Sequence, residues 1–309
     1  MTTTAATVPA AGRQHDDLGR PAGCSVVVLN WNCARDTVRA VQSLPRSWWP
    51  GVVVVDNGSD DWASQRAALR DLPGVVVVRR AANGGYAAGM NTGMRTARER
   101  GDRAVALVNA DAVPTARALR AMFEEAERSA VVGISQHVVT RDGVAGAQYV
   151  TAAVGRPMTP RPFVCPGCDR GRHEVRVVTG AAIVVELGAM SALGGIDESF
   201  FHYKEEFDLC ARARGVGMAV TLLCRDSVGH ARGGSLPARS ASAFYYSIRN
   251  EWLFFRKHRG PVGALLSWRL HRIWATVAAD AVARGHARAA AQGLVHGARG
   301  VHGRRPADG

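Results

Sequence analysis

Two apolar runs in this chain end in carboxylates, which points to chemistry on a charged ligand. Val52 to Val55 leads into Asp56-Asn57-Gly58-Ser59-Asp60, and Ala104 to Val108 leads into Asn109-Ala110-Asp111. A carboxylate at the carboxyl end of a strand sits where open α/β sheets bind ligands. One such Asp alone is equally explained as the cap of the next helix. Two delivered to one sheet edge suggest a nucleotide and a divalent metal. Glu205-Glu206-Phe207-Asp208 follows an aromatic run, Phe200-Phe201-His202-Tyr203. In isolation that acidic cluster reads as a helix start stabilised by the helix dipole. His230 follows a strand and precedes Gly233-Gly234, a place that suits a metal ligand. Asn83-Gly84-Gly85 opens a helix whose glycines permit close backbone approach and whose N-terminus favours an anionic diphosphate. The segment is neither a Walker A loop nor a G-x-G-x-x-G fingerprint.

These groups need a scaffold, and the apolar pattern supplies one. Strands are expected at 24–30, 52–55, 75–78, 104–108 and 131–134. They alternate with helices near 34–44, 63–72, 87–100 and 115–127. Short links between alternating strands and helices give parallel strands with right-handed crossovers. Beyond residue 135 the rhythm changes. Residues 138–140, 148–152 and 175–185 are strand-like. Residues 156–173 form a Pro/Arg/Gly/Cys loop suited to a lid. Then come a helix at 207–213, a strand at 218–223 and helices at 238–258 and 261–284. The last carries Val262, Leu266, Leu270, Ile273, Val277 and Ala281 at helical spacing.

Composition sets the limits. A chain of 309 residues with 47% hydrophobic and 21% charged residues buries a full core as one large domain plus an appendage. No apolar run reaches the roughly 20 residues that span a bilayer. Residues 1–20 lack the features of a signal peptide and are expected to be disordered, so the expected location is the cytoplasm. Arg far exceeds Lys, with high Ala and Gly, a usage expected of a high-GC bacterium. Cys165-Pro-Gly-Cys168 is a lone C-x-x-C with His173 close behind. It reads as an ordinary loop, with a zinc site as the lesser alternative. The net charge of +13 is concentrated at one end: Arg256 to Gly309 holds ten Lys/Arg against two Asp.

Taken together, residues 24 to 258 resemble the inverting nucleotide-sugar glycosyltransferases of GT-A fold, and most of all the rhamnosyltransferase-like branch of glycosyltransferase family 2. The motifs that carry the resemblance are Val55-Asp56-Asn57-Gly58-Ser59, Asn83-Gly84-Gly85-Tyr86-Ala87-Ala88-Gly89-Met90-Asn91-Thr92-Gly93 and Asn109-Ala110-Asp111. To these are added Gly194-Gly195-Ile196-Asp197-Glu198 through Asp208-Leu209, His230-Ala231-Arg232-Gly233-Gly234-Ser235, and Tyr246 with Arg249-Asn250. The resemblance implies a Rossmann-like, mostly parallel sheet flanked by helices. It implies that Asn30, Asp56, Asn83, Gly84, Asn91, Asn109, Asp111 and Arg249 contact the nucleotide sugar. Asp111 and His230 would hold Mg²⁺ or Mn²⁺. The second acid of the Glu-Glu pair, Glu206, would be the catalytic base, with Glu205 the alternative. Asn109 stands where GT-A enzymes commonly have Asp, so the diphosphate itself must supply charge to the metal.

The implied reaction moves a hexose or deoxyhexose, such as rhamnose, from a UDP- or dTDP-sugar to an acceptor hydroxyl. The acceptor would be a lipid-linked glycan of cell-wall or polysaccharide assembly, or a secondary-metabolite aglycone. The alternative is a relic that holds the nucleotide sugar without turnover. The domain is expected over 21–258, with a basic amphipathic tail over 259–309 that either lies on an anionic membrane or packs on the domain. No nucleic-acid motif accompanies the basic tail, so nucleic acid is not an expected partner.

Overall fold

The computed structural model describes residues 19–140, 143–148, 171–178, 181–230 and 240–305. Cys165, Cys168, most of the 156–173 loop, the first 18 residues and positions 231–235 lie outside the described residues.

β1 (Cys24–Asn30), β2 (Val52–Asp56), β3 (Val76–Arg79) and β4 (Ala104–Asn109) are parallel neighbours. They are linked by α1 (Ala34–Gln42), α2 (Trp62–Leu69) and α3 (Gly85–Glu99). A two-residue strand, β5 (Ala112–Val113), and α4 (Ala116–Glu125) follow. Then come β6 (Val131–Thr140), β7 (Gly143–Gln148), β8 (Arg172–Glu174), β9 (Ala182–Glu186), α5 (Leu187–Leu193), α6 (Glu205–Gly215) and β10 (Val220–His230). The sheet order is β3-β2-β1-β4-β9-β6-β10-β5, with β7 beside β6 and β8 beside β10. β9 is antiparallel to both β4 and β6, and β6 is parallel to β10. The carboxyl ends of β1, β2, β4 and β10 therefore share one edge. The 175–185 expectation is corrected: β8 and β9 flank 175–178, which are not strand.

Alternation along the buried strands feeds two cores. Val26, Val28, Val52, Val54, Ala106 and Val108 face Trp48, Leu119 and Phe123. Val27, Val53, Val55, Val105 and Leu107 face α3, α6 and the C-terminal helices. α3 lies close on β1 because its contact face is glycine. A Cβ at Gly89 would stand 2.2 Å from Leu29 Cδ1, and one at Gly93 would stand 2.3 Å from Val27 Cγ1.

The C-terminal region is α7 (Ala241–Leu265), α8 (Trp268–Ala283) and α9 (Ala287–Arg299). α7 runs past the expected stop at His258 and kinks at Gly260, before Pro261. Ser267 caps α8, so the expected 261–284 helix is two helices joined at an elbow. α9 folds back on α7, with Gly293 against Tyr245 and Gly297 against Trp252. The apolar stripe also divides. Leu270 and Ala281 are buried, whereas Val262 and Leu266 are 67% and 78% exposed, with Leu265 between them at 56%. The tail thus packs on the domain and leaves an apolar elbow uncovered. No described helix is long and apolar enough to cross a membrane.

Candidate active site

The shared sheet edge gathers most of the expected groups. Asn30 and Asp56 are register partners at the ends of β1 and β2. Both are fully buried. Asn30 Nδ2 donates to Asp56 Oδ1 at 2.8 Å, and the Ser59 hydroxyl donates to the same oxygen at 2.5 Å. The Ser59 amide reaches Asp56 Oδ2 at 3.2 Å. Asp56 is therefore a turn-former with no exposed surface, and the helix cap is Asp61, which accepts from the Ser64 amide. Asn57, passed over in the sequence, ties this turn to the next motif. Its Nδ2 donates to Asn83 Oδ1 and to the Gly85 carbonyl, both at 3.0 Å.

Asn83 and Gly84 form the entry to α3. Gly85 has φ +88°, and a Cβ there would stand 2.2 Å from the Phe201 carbonyl. The Tyr86 amide donates to that carbonyl at 2.8 Å, and the Gly85 amide donates to Asn83. The Tyr86 amide thus docks the start of α3 on the 200–204 loop. The Asn91 side chain donates to the Ile196 carbonyl at 2.8 Å and accepts from the Ile196 amide at 3.0 Å, with a third bond to Glu198. A side-chain amide so engaged braces the Gly194–Glu198 turn.

Asp111 and His230 meet through β5. The short strand follows Asp111 immediately, and Ala112 pairs with His230 on β10. His230 Nε2 lies 3.2 Å from Asp111 Oδ1, and both side chains keep some solvent access. Half-exposed Asn109 closes β4 beside them. One carboxylate oxygen, one imidazole nitrogen and a neutral amide fit a divalent cation that takes its remaining ligands from a diphosphate. Among the described residues no three His, Cys, Asp or Glu groups converge, so protein ligands alone form no full set.

Glu205 and Glu206 open α6 after a contorted loop. Phe201, Tyr203 and Lys204 have φ of +63°, +70° and +77°. This is the left-handed region that side chains with a Cβ avoid. Asn250 Nδ2 clamps the loop by donating to the carbonyls of Phe200 (2.8 Å), His202 (2.6 Å) and Tyr203 (2.8 Å). Arg249 donates to the Phe200 carbonyl at 2.6 Å and to Gly303. Arg249 is fully buried and holds the loop. Lys204 pairs with Glu251 at 2.6 Å.

Burial raises the Glu205 carboxyl well above its ordinary range, and the neighbouring Glu206 adds to the shift. Burial also raises Glu206, against the pull of Lys204. Glu205 is 3% exposed, whereas Glu206 is half-buried. Tyr86 is likewise held protonated by burial, with Glu206 and Glu205 reinforcing it, so the acid pair lies beside the start of α3. Desolvation of the half-buried His202 ring lowers it to about 4, which keeps it neutral. Asp208 is the exception. Burial opposes its ionisation, but His258, Lys257 and Arg212 bind the carboxylate and hold it at about 2. That hub fastens α6 to α7.

Comparisons with known proteins agree with this architecture. The family model described as "Glycosyl transferase family 2" matches residues 25–162. The low-salt glycan biosynthesis hexosyltransferase Agl10 of Haloferax volcanii is 24% identical over 193 residues, covering 62% of this chain and 61% of its own. The crystal structure of GalNAc-T7 with UDP, GalNAc and Mn²⁺ superposes with a TM-score of 0.55 at 15% identity. It covers 82% of this chain and 54% of its own. The chain therefore spans less than two thirds of each of these proteins. The fold is that of a GT-A glycosyltransferase with a C-terminal helical region. The matches support a glycosyltransferase enzyme.

Proposed function

We propose that this protein is an inverting glycosyltransferase that moves a hexose or deoxyhexose from a UDP- or dTDP-sugar to an acceptor hydroxyl. The observation that carries the reading is the convergence at one sheet edge. The Asp56 turn and the Asp111–His230 pair lie at the strand ends, while α3 docks on the loop that presents Glu205 and Glu206. That is a donor side and a base side joined by hydrogen bonds.

The nucleoside lies over the turn that Asn30, Asp56, Asn57 and Asn83 hold rigid. Asp111 and His230, with Asn109, would hold Mg²⁺ or Mn²⁺, whose charge would offset that of the departing diphosphate. Glu206 removes the acceptor proton as the hydroxyl oxygen attacks the anomeric carbon from the face opposite the leaving group. Two adjacent acids in a desolvated site do not ionise together readily. Glu205, the more buried, keeps its proton; Glu206, facing Lys204, is the one that ionises. Bound diphosphate supplies the negative charge that Asn109 does not.

The acceptor class stays broad: a lipid-linked glycan or a small aglycone. The exposed elbow of Val262, Leu265 and Leu266 beside Arg259 supports peripheral contact with an anionic membrane, and hence a lipid-linked acceptor. Glu206→Gln tests the assignment. Turnover is expected to fall about 10²- to 10⁴-fold with donor affinity retained. Full turnover in this variant would remove Glu206 from the role.

A further inference from the structure

We propose that Glu251 is a positioning residue for the acid pair: from α7 it holds the Lys204 ammonium at the start of α6 and shields part of that charge from Glu206. Its catalytic meaning rests on the reading of Glu206 as the base; the geometry does not. Glu251 is 2% exposed. Its Oε2 lies 2.6 Å from Lys204 Nζ, while Oε1 is buried and has no hydrogen-bond partner among the described residues. A buried carboxylate with one oxygen unpaired is costly, and buried polar groups are otherwise nearly always paired. The ammonium is its one partner, so charge rather than hydrogen bonding accounts for an acid at this place.

Lys204 is fixed along its whole length. Its backbone has φ +77° at the residue before α6, and its carbonyl accepts from the Asp208 amide at 3.0 Å. Its ammonium lies between the Glu251 carboxylate and the Phe207 ring, 4.1 Å from the ring centre. The other groups that face the acid pair are few. Glu205 and Cys210 share its helix, Tyr203 lies in the preceding loop and Tyr86 comes from α3. Burial raises Cys210 and both tyrosines, which keeps them uncharged at neutral pH. Of the two nearby cations, Arg249 acts on Glu205 and Lys204 acts on Glu206. Glu251 is thus the anion that partners the cation of Glu206.

Burial alone would leave Glu206 mostly protonated, and a bare lysine beside it would leave it ionised but weakly basic. A general base works best with a pKa near the working pH. With Glu251 bound to the ammonium, only part of the lysine's field reaches Glu206, which sets the acid between those limits. Asn250, the preceding residue of α7, clamps the same loop. Adjacent residues of one helix therefore fix the shape and the charge of the loop that leads into the acid pair.

The test is titration of Glu206 by carbon NMR of the full chain, labelled at the glutamate carboxyls. Glu206→Gln identifies the signal, and a Glu205→Gln background lets Glu206 titrate alone. Glu251→Gln keeps the shape and offers Lys204 a carbonyl oxygen, but removes the charge. Glu206 should then titrate roughly one pH unit lower, and Glu251→Asp should return it toward the parent. Lys204→Met combined with Glu251→Gln removes both charges and should move Glu206 above the parent. That double variant leaves no buried charge unpaired, so it gives a reading even where Glu251→Gln does not fold. A merely structural Glu251 would change the melting temperature and leave the titration in place. Glu206 unmoved in Glu251→Gln, or no higher than the parent in the double variant, would overturn the proposal. Neither result depends on turnover, so both stand apart from the activity of Glu206→Gln, which decides whether Glu206 is the base.

Discussion

Asn250 is the residue whose loss should tell most about how the proposed base is held. Three residues of the 201–204 loop have positive φ, at about 1–2 kcal/mol each, so the loop stores on the order of 3–6 kcal/mol. One side-chain amide offsets much of that through three bonds to loop carbonyls. Asn250→Ala removes these bonds; the Phe200 carbonyl keeps Arg249 and the His202 amide, but those of His202 and Tyr203 lose this donor, which costs about 1–3 kcal/mol for each group that water cannot reach. Relaxation of the loop limits the total, so a loss of about 2–4 kcal/mol of stability is expected. Urea denaturation would measure it, and hydrogen exchange would place the lost protection in residues 200–206. Turnover should fall further than donor affinity, because Glu206 follows the loop directly and a base displaced by about 1 Å loses roughly a hundredfold in rate. Asn250→Asp should be no better. It keeps the shape but turns a carboxylate toward three carbonyl oxygens. An Asn250→Ala protein with parental stability and unchanged exchange in the loop would refute the clamp.

Three further outcomes follow from the site. Glu205 has its folded-state pKa raised, so its favourable contribution is complete below the unfolded pKa and lost as pH rises through the folded one. Glu205→Gln, which mimics the protonated acid, should therefore match the parent in acid and exceed its stability at neutral pH; a pH series of melting temperatures would show the two curves parting. In a thermal-shift panel of nucleoside diphosphates with Mg²⁺ or Mn²⁺, UDP or dTDP should stabilise the parent only when metal is present, and Asp111→Ala should lose the effect. If the mutant responds like the parent, Asp111 is no metal ligand. Leu265→Ser with Leu266→Ser should reduce sedimentation with anionic liposomes while leaving the melting temperature nearly unchanged, since both side chains are exposed. Equal sedimentation would remove the elbow as a membrane contact.

Local pattern made the first half of the fold readable. Unbroken valine runs fit only strands covered on both faces, and β1, β2 and β4 lie where those runs fall. Asp111 and His230 were legible as candidates, but their meeting depends on β5, two residues long and too short to carry any periodicity. Asn91 and Arg249 have structural partners that the sequence does not show. Sequence shows that a polar side chain is present but not whether it faces ligand or backbone, and both here satisfy buried carbonyls. Asn57 and Asn250 stood in plain view inside recognised motifs, yet their work is done across long gaps in the chain. The C-terminal division failed for another reason. Amphipathic spacing predicted one helix from 261, whereas Ser267 caps a new one and Gly293 with Gly297 gives α9 a face that docks on α7.

The fold-back of α9 sets an order of events in synthesis. Ser199 accepts from the Gly303 amide at 2.9 Å, and the Arg305 amide reaches the Tyr246 hydroxyl at 2.8 Å. At a ribosomal pace of roughly 5–20 residues per second, Gly303 emerges roughly 5–20 s after Ser199. During that interval β1 to β4 are already made while the loop before Glu205 lacks its bond to Gly303. A nascent chain would thus carry a formed sheet edge before the loop ahead of Glu205 and Glu206 is fully braced, so the two sides of the candidate site become rigid at different times.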